Sequence, residues 1–210
     1  MSFDKVVFRK KCKERLFSIQ AKRKRERMLE VKLMHILKLT HAKNILSFMA
    51  MTHEPRLQEI FAQRGHWNIF VPFMQGASFK MVKFRLPLKK KKFSIYEPLN
   101  SFFSTKIDTA IIPVIGVDGN FRRVGFGKGM YDRFFANLSY KPLIIFVQIE
   151  KCFTKQSVTN DFDVQGDMLI TPKEIIIRGD SDVGRAIGRK LCSNHKWRCR
   201  LFYGKKIRKR

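Results

Sequence analysis

Two short runs that are almost wholly apolar, TAIIPVIGV at 109–117 and PLIIFVQI at 142–149, constrain this chain most. Each has the length of a strand and is rich in β-branched residues. Each also lacks the polar alternation of a half-exposed strand, so both predict strands buried on both faces. Between them lie the turn Asp118-Gly119-Asn120, a glycine-rich loop and a stretch with helical texture over about 130–138. A buried strand, a helix and a second buried strand imply a crossover lying on a sheet.

The rest of the sequence extends that pattern. The first ~38 residues read as helical. Val6, Val7, Cys12, Leu16, Phe17 and Ile19 leave an apolar stripe that Met28, Leu29, Leu33, Met34, Ile36 and Leu37 continue at helical spacing. The charged AKRKRERM between the two groups predicts a break or an exposed turn. Further strands are expected over 45–50, 67–74, 79–86, 93–96, 168–170 and 174–177. A short helix is expected over 55–61, opened by Pro55 and stopped by Gly65. The run at 89–92 reads as a solvated hairpin tip. The expected fold is α/β: a single open, mostly parallel sheet flanked by helices, with N-terminal helices. One domain is expected over 1–178. A basic C-terminal extension over 179–210 alternates Gly, Arg and Lys with little periodicity and reads as a loosely ordered arm.

At 210 residues the chain is long enough for folding to bury about 70% of its surface, which supports a real core. Its 44% apolar content with 20 Phe excludes intrinsic disorder. The longest apolar run, 143–147, is far short of the ~18 residues of a membrane span. The N-terminus carries charges throughout and predicts no secretory signal.

The net charge of +27 is uneven, with +8 over 1–32 and +10 over 178–210. Such a field attracts polyanions, including nucleotides, polyglutamylated cofactors, nucleic acid and anionic surfaces. It also reads simply as solvated Lys-rich faces. Cys12, Cys152, Cys192 and Cys199 form no CxxC and no disulfide framework, so a reducing cytoplasm fits best. Cys192, His195 and Cys199 resemble three metal ligands without a nearby fourth.

The chemistry concentrates in NFRRVGFGKGMYDR, residues 120–133. Gly125, Gly127 and Gly129 alternate just after a buried strand and just before a helix. Glycine allows positive φ and close backbone approach, so successive N–H groups can face one anion. The positive end of the following helix adds to this. Arg123 and Lys128 supply full charges for phosphate oxygens. Asp132 is placed to hold a Mg²⁺ that bridges them. Three more acids, Asp161, Asp163 and Asp167, precede a strand and read either as a polar loop or as a second metal contact. The spacing matches neither the Walker nor the dinucleotide glycine pattern.

These residues resemble the 5-formyltetrahydrofolate cyclo-ligase family, also called 5,10-methenyltetrahydrofolate synthetases. RVGFGKGMYDR is similar to that family's R-L-G-x-G-[KG]-G-[YF]-Y-D-R. IIPVIGVDGN resembles its P-x-[LI]-x-F-D-x-x-G, FSIYEP (93–98) its [IV]-x-E-P, and FMAMTHEPRL (48–57) its strand ending in an acid-rich turn. The segment from Asn160 to Thr171 resembles its H-D-x-x-[LV]-D-x-[IV]-[IV]-T, two residues longer here. Lys5-x-x-Phe8-Arg9 is similar to its K-x-x-[LI]-R helix.

The resemblance covers about 5–177. It implies an ATP- and Mg²⁺-dependent conversion of 5-formyltetrahydrofolate to 5,10-methenyltetrahydrofolate, with ADP and phosphate released. It implies ATP contacts at Lys5, Arg9, Arg123, Gly125, Gly127, Lys128, Gly129 and Tyr131, with Arg123 and Lys128 catalytic. It implies metal contacts at Asp132 and Asp167, and folate contacts at Met51, Glu54, Arg56, Phe126, Met130 and Tyr131.

Three positions depart from the family pattern. Phe126 stands where Arg is common, Met130 where Tyr or Phe is usual, and Arg56 where an acid contacts folate. A guanidinium accepts no hydrogen bonds. Glu54, two residues earlier, is the expected substitute. A second reading stays open: a divergent member whose basic termini, including 22–25 and 205–210, bind RNA or another polyanion. Trp197, Phe202 and Tyr203 would then stack on bases.

Overall fold

A computed structural model describes residues 4–63, 65–90, 96–101, 105–193 and 197–204. The chain opens with two helices, α1 (Lys5–Phe17) and α2 (Lys22–Leu39). Asp4 caps α1, its Oδ1 accepting from the N–H groups of Val6 and Val7 at 2.8 and 2.9 Å. The break between the helices falls over 18–21, where Ala21 adopts a φ of 52°. The expected break in the charged stretch is thus displaced: Lys22 to Arg27 form the first turns of α2. Arg23, Lys24 and Arg27 are exposed, whereas Glu26 is buried together with Leu29, Leu33, Ile36 and Leu37.

The elements that follow are β1 (Asn44–Leu46), α3 (Gln58–Ala62), β2 (Asn68–Gln75), β3 (Ser78–Lys83), β4 (Lys89–Lys90), β5 (Tyr96–Glu97) and β6 (Thr109–Pro113). Then come β7 (Gly116–Val117), β8 (Arg123–Val124), α4 (Met130–Ala136), β9 (Leu143–Val147), β10 (Met168–Ile170), β11 (Ile175–Arg178), α5 (Asp182–Cys192) and β12 (Cys199–Phe202). Eight strands make one sheet in the order β12-β11-β10-β9-β6-β1-β2-β3. Its neighbours pair in parallel except for β10 with β11 and β2 with β3. This is the mostly parallel α/β sheet the sequence predicts.

The two-residue period of a strand divides the core. Ile45, Ile111, Ile145, Val147, Met168 and Ile170 face one side, where α2, α3 and α5 cover them with Leu33, Ile60 and Ile187. Leu46, Ala110, Ile112, Ile144, Phe146 and Leu169 face the other, packing with Phe121 and with Phe134 of α4. Burial on both faces explains why the runs at 109–117 and 142–149 lack polar alternation. The first is split, however. β6 ends at Pro113, and Gly116–Val117 turn away to pair with β8 in a separate two-stranded sheet.

The C-terminal segment expected to be loose is folded over its described residues. Ser181 caps α5 by accepting from Gly184 N at 3.0 Å, and β12 pairs in parallel with β11. Ile187 and Leu191 bury an apolar face that a run of basic residues hides from a composition count. Residues 205–210, His195 and the side chain of Cys192 lie outside the described residues, as does 91–95. Lys89 and Lys90 pair with Glu97 and Tyr96 as short antiparallel strands.

A further departure concerns the cysteines. Cys12 on α1 and Cys152 beyond β9 form a disulfide between positions 140 residues apart, with 5.5 Å between their Cα atoms. No spacing rule signals such a pair, because the fold alone brings the two together. They sit with Phe8, Ile115 and Val124 in a small cluster that fixes α1 over β7 and β8. No helix among the described residues is long and apolar enough to cross a membrane.

Candidate functional site

The parallel strands β1, β6 and β9 end at the same edge of the sheet, where an open α/β fold presents its crevice. The chain leaving each of them lines one apolar cavity of about 330 Å³. Phe48 and Met51 come from beyond β1, Val114 and Ile115 from beyond β6, and Gln148 and Ile149 from beyond β9. Across from them stand Phe79 of β3 and Tyr131 of α4. A second cavity of about 350 Å³, polar in that charged side chains and glycines dominate its lining, lies beside the first. Arg123, Gly125 and Gly129 line both, so the glycine loop is the wall between them.

The wall's shape follows from its residues. At Gly125 a Cβ would meet Arg123 Nη2 at 2.0 Å, so a side chain there would displace the guanidinium. Gly127 and Gly129 have φ of 108° and 61°, the left-handed region that L side chains avoid. Arg9 reaches from α1 to donate from Nε to Gly125 O at 2.9 Å. The turn before the loop is tied down by Asp118, which is fully buried. Its Oδ1 accepts from Asn120 N and Arg122 N, and its Oδ2 from Val158 N, Thr159 N and Thr159 Oγ1.

Arg123 is the most informative side chain in the wall. It is 7% exposed, its guanidinium lies 4.9 Å from the centroid of the Tyr131 ring, and among the described residues its Nε and Nη1 have no hydrogen-bond partner. Buried donors are normally satisfied, so two left over between two cavities call for an acceptor brought by a ligand. Tyr131 remains a neutral phenol: burial and the nearby Glu54 raise its pKa, against the pull of Arg123.

In the polar cavity, Lys5 pairs with Asp163, its Nζ 2.7 and 2.6 Å from the two carboxylate oxygens. Asp132 lines the same cavity; its Oδ1 accepts from Val164 N at 3.1 Å, and among the described residues Oδ2 has no partner. Asp167 does not join them. Its Oδ2 accepts from Ile144 N, and its Oδ1 accepts from Arg178 Nη2 and Ser181 Oγ. The expected pairing of Asp132 with Asp167 is therefore corrected. Asp163 is the acid that shares a cavity with Asp132, while Asp167 joins β9, β11 and the start of α5.

Met51, Glu54, Phe126, Lys128, Met130 and Tyr131 all line the apolar cavity. Lys128 is exposed at its rim rather than in the polar cavity. Arg56 departs from expectation: its side chain is exposed and lines neither cavity, and its backbone N–H donates to Glu26 Oε1 at 2.9 Å. Glu54, two residues earlier, is buried and lines the apolar cavity. Burial raises its pKa to about 7, against the lowering effects of a hydrogen bond from Met51 N and the charges of Arg123 and Lys22.

Sequence reasoning assigned no role to Glu97, which lines the apolar cavity at 3% exposure and accepts from Met74 N at 3.4 Å. Gln148 was likewise overlooked. Glu97 lies within the quoted FSIYEP element, whereas Gln148 carries no signal beyond its place at a strand end.

The sequence model of the 5-formyltetrahydrofolate cyclo-ligase family matches residues 2–172. A relative from Mycoplasma pneumoniae (strain M129), a 5-formyltetrahydrofolate cyclo-ligase, is 36% identical over 77 residues. That match spans 36% of this chain and 46% of the relative's length. An NMR structure of Aquifex aeolicus 5,10-methenyltetrahydrofolate synthetase superposes with a TM-score of 0.70 at 21% identity, covering 81% of this chain and 91% of that one. A 5,10-methenyltetrahydrofolate synthetase from Mycoplasma pneumoniae superposes with a TM-score of 0.63 at 19% identity, covering 81% and 100%.

Proposed function

Because this chain belongs to the 5-formyltetrahydrofolate cyclo-ligase family, we propose that it converts 5-formyltetrahydrofolate to 5,10-methenyltetrahydrofolate at the expense of ATP. The observation that carries this reading is the wall shared by the two cavities. A reaction that moves a phosphoryl group from a nucleotide to a flat heterocycle is served by two different cavities in contact at one charged point. Arg123 occupies that point.

The formyl oxygen attacks the γ-phosphate and ADP leaves, giving a phosphorylated imidate. N10 then bonds to the activated carbon, phosphate departs with the former formyl oxygen, and the N10 proton passes to solvent. No protein nucleophile is required; positioning and charge neutralisation supply the acceleration. The unpartnered Nε and Nη1 of Arg123 suit the oxygens of the group in transit. Lys128, on the substrate side of the loop, supplies a second cation to them, and Arg9 and Lys5 flank the nucleotide side.

The donor set fits Mg²⁺, which takes one or two carboxylates and fills its remaining positions with water and phosphate oxygens. Asp132, with Oδ2 available, would hold it, and Asp163 lies in the same cavity. The ion would neutralise charge on the nucleotide. Glu54 and Glu97 face the heterocycle from the apolar side as hydrogen-bond acceptors. A cytoplasmic setting belongs to this reading through the family alone, because the Cys12–Cys152 disulfide removes the cysteine argument for it.

The test is near-ultraviolet absorbance of the purified protein with 5-formyltetrahydrofolate, ATP and Mg²⁺. Methenyltetrahydrofolate absorbs at longer wavelength than its precursor. The expected result is a rise that requires ATP and is lost in a folded Lys128→Ala variant. No rise with the wild-type protein would overturn the proposal.

A further inference from the structure

The chain from 47 to 57, between β1 and α3, forms neither helix nor strand, yet its Phe48, Met51, His53, Glu54 and Pro55 line the apolar cavity. Backbone outside a ladder must find its partners elsewhere. Here one face of α2 supplies them. Lys22, Glu26 and Glu30 stand four residues apart and so share that face. Lys22 Nζ donates to Thr52 O, Glu26 Oε1 accepts from Arg56 N at 2.9 Å, and Glu30 Oε1 accepts from Glu59 N at 2.9 Å. Lys22 also pairs with Glu26 at 3.7 Å. Glu30 thereby caps α3, whose N-cap Leu57 makes no such bond with its own side chain. Glu26 and Glu30 are 8% and 6% exposed. Burying a carboxylate is costly unless donors meet it. Burial raises the Glu30 carboxyl to about 7, against the lowering effect of the N–H groups of Glu59 and Ile60. Leu29, Leu33 and Ile36 already pack α2 onto the core, so the two acids are not needed for that. What they add is a fixed path for the chain opposite them.

We propose that Glu26 and Glu30 are positioning residues for the heterocycle, setting the path of 51–59 so that Met51 and Glu54 face the apolar cavity. This rests on the folate reading of that cavity and adds what holds its loop in place. Neither acid lines the cavity, so each acts on the substrate through the backbone it holds. Small displacements of a group that orients a substrate are expensive, which is why the hold matters.

The experiment separates the two substrates. Steady-state kinetics at pH 8 compares the wild-type protein with Glu26→Met, Glu30→Met, Glu26→Gln and Glu30→Gln. Methionine keeps the length of the side chain but offers no acceptor oxygen, whereas glutamine keeps one. Each methionine variant should raise KM for 5-formyltetrahydrofolate about tenfold, the order of one lost hydrogen bond to a charged group, and leave KM for ATP within about twofold. Each glutamine variant should bring KM back near the wild-type value. A merely structural role would lower the melting temperature and the active fraction with both KM values unchanged, and that result would overturn the assignment. Equal rises in both KM values, or glutamine variants as impaired as the methionine ones, would overturn it too. If a methionine variant does not fold, Glu26→Asp and Glu30→Asp draw the carboxylate back by one carbon and should show the same split in smaller measure. In all these cases wild-type turnover leaves the folate reading standing, and a folded wild-type protein without turnover overturns both.

Discussion

The two cavities that meet at Arg123 are built by opposite means. The polar one draws on a compact stretch, residues 123–136, completed by Lys5 and Arg9 from α1 and by the loop at 162–163. Its recognition depends on bare backbone, fixed charge and one excluded side chain at Gly125. The apolar one collects single residues from the ends of β1, β6 and β9 and from β2, β3 and α4. Most of its surface is apolar and comes from Phe, Met, Val and Ile, residue types that also fill the core, with a few polar side chains such as Glu54, Glu97 and Gln148 among them. On the proposed reading, anion recognition is compressed into a motif, whereas recognition of a flat heterocycle is spread over the fold.

The largest effect is expected where the two cavities join. Arg123→Lys removes a planar group that stacks on Tyr131 and offers several fixed donors, and an ammonium replaces neither property. Turnover should fall by roughly 10²–10³-fold with little change in melting temperature, by analogy with losing one preorganised donor. Near-normal turnover would mean that the cavities work without their common wall.

A smaller effect distinguishes the apolar cavity. With its carboxyl raised to about 7, Glu54 loses its charge as pH falls through neutrality. If the carboxylate is the acceptor for the heterocycle, KM for 5-formyltetrahydrofolate should rise roughly tenfold between pH 8 and pH 6 at saturating ATP, following the ionised fraction. Glu54→Gln should flatten that profile. The same group affects stability with a definite sign. The native protein holds a proton that the unfolded chain has already lost, so Glu54's contribution falls as pH rises from about 4.5 to 7. A KM independent of pH in the wild-type protein would remove Glu54 from substrate recognition.

The smallest effect is expected outside both cavities. Arg56→Ala should leave KM for folate within about twofold, as for an exposed side chain away from special contacts. A tenfold change would bring Arg56 back to the pocket and blur the contrast between a built lining and a bystander.

The same contrast explains what the sequence made legible. β6 and β9 were readable because burial on both faces leaves unbroken apolar runs. The glycine loop was readable because it combines backbone need and charge within a few residues. The folding of α5 was overlooked because Ile187 and Leu191 sit among basic residues and composition was weighed there, although its apolar and charged residues separate strongly at helical spacing. Asp163 was mistaken for Asp167 because which acid faces the cavity depends on the path of a loop, and the count of acids does not encode that path. The Cys12–Cys152 pair was invisible for the same reason, since two positions 140 residues apart share nothing locally. Gln148 and Glu97 became candidates only once β9, β5 and the cavity were in place.

Arg123 in the common wall has a consequence for binding as well as turnover. A guanidinium that stacks on Tyr131 and lies close enough to lower the Glu54 pKa cannot change its electrostatic environment on one side alone. Whatever factor the nucleotide applies to folate affinity, folate must return to nucleotide affinity, because the two binding free energies share one coupling. If both substrates bind as proposed, any dependence of one dissociation constant on the presence of the other must be matched by an equal dependence in the opposite direction.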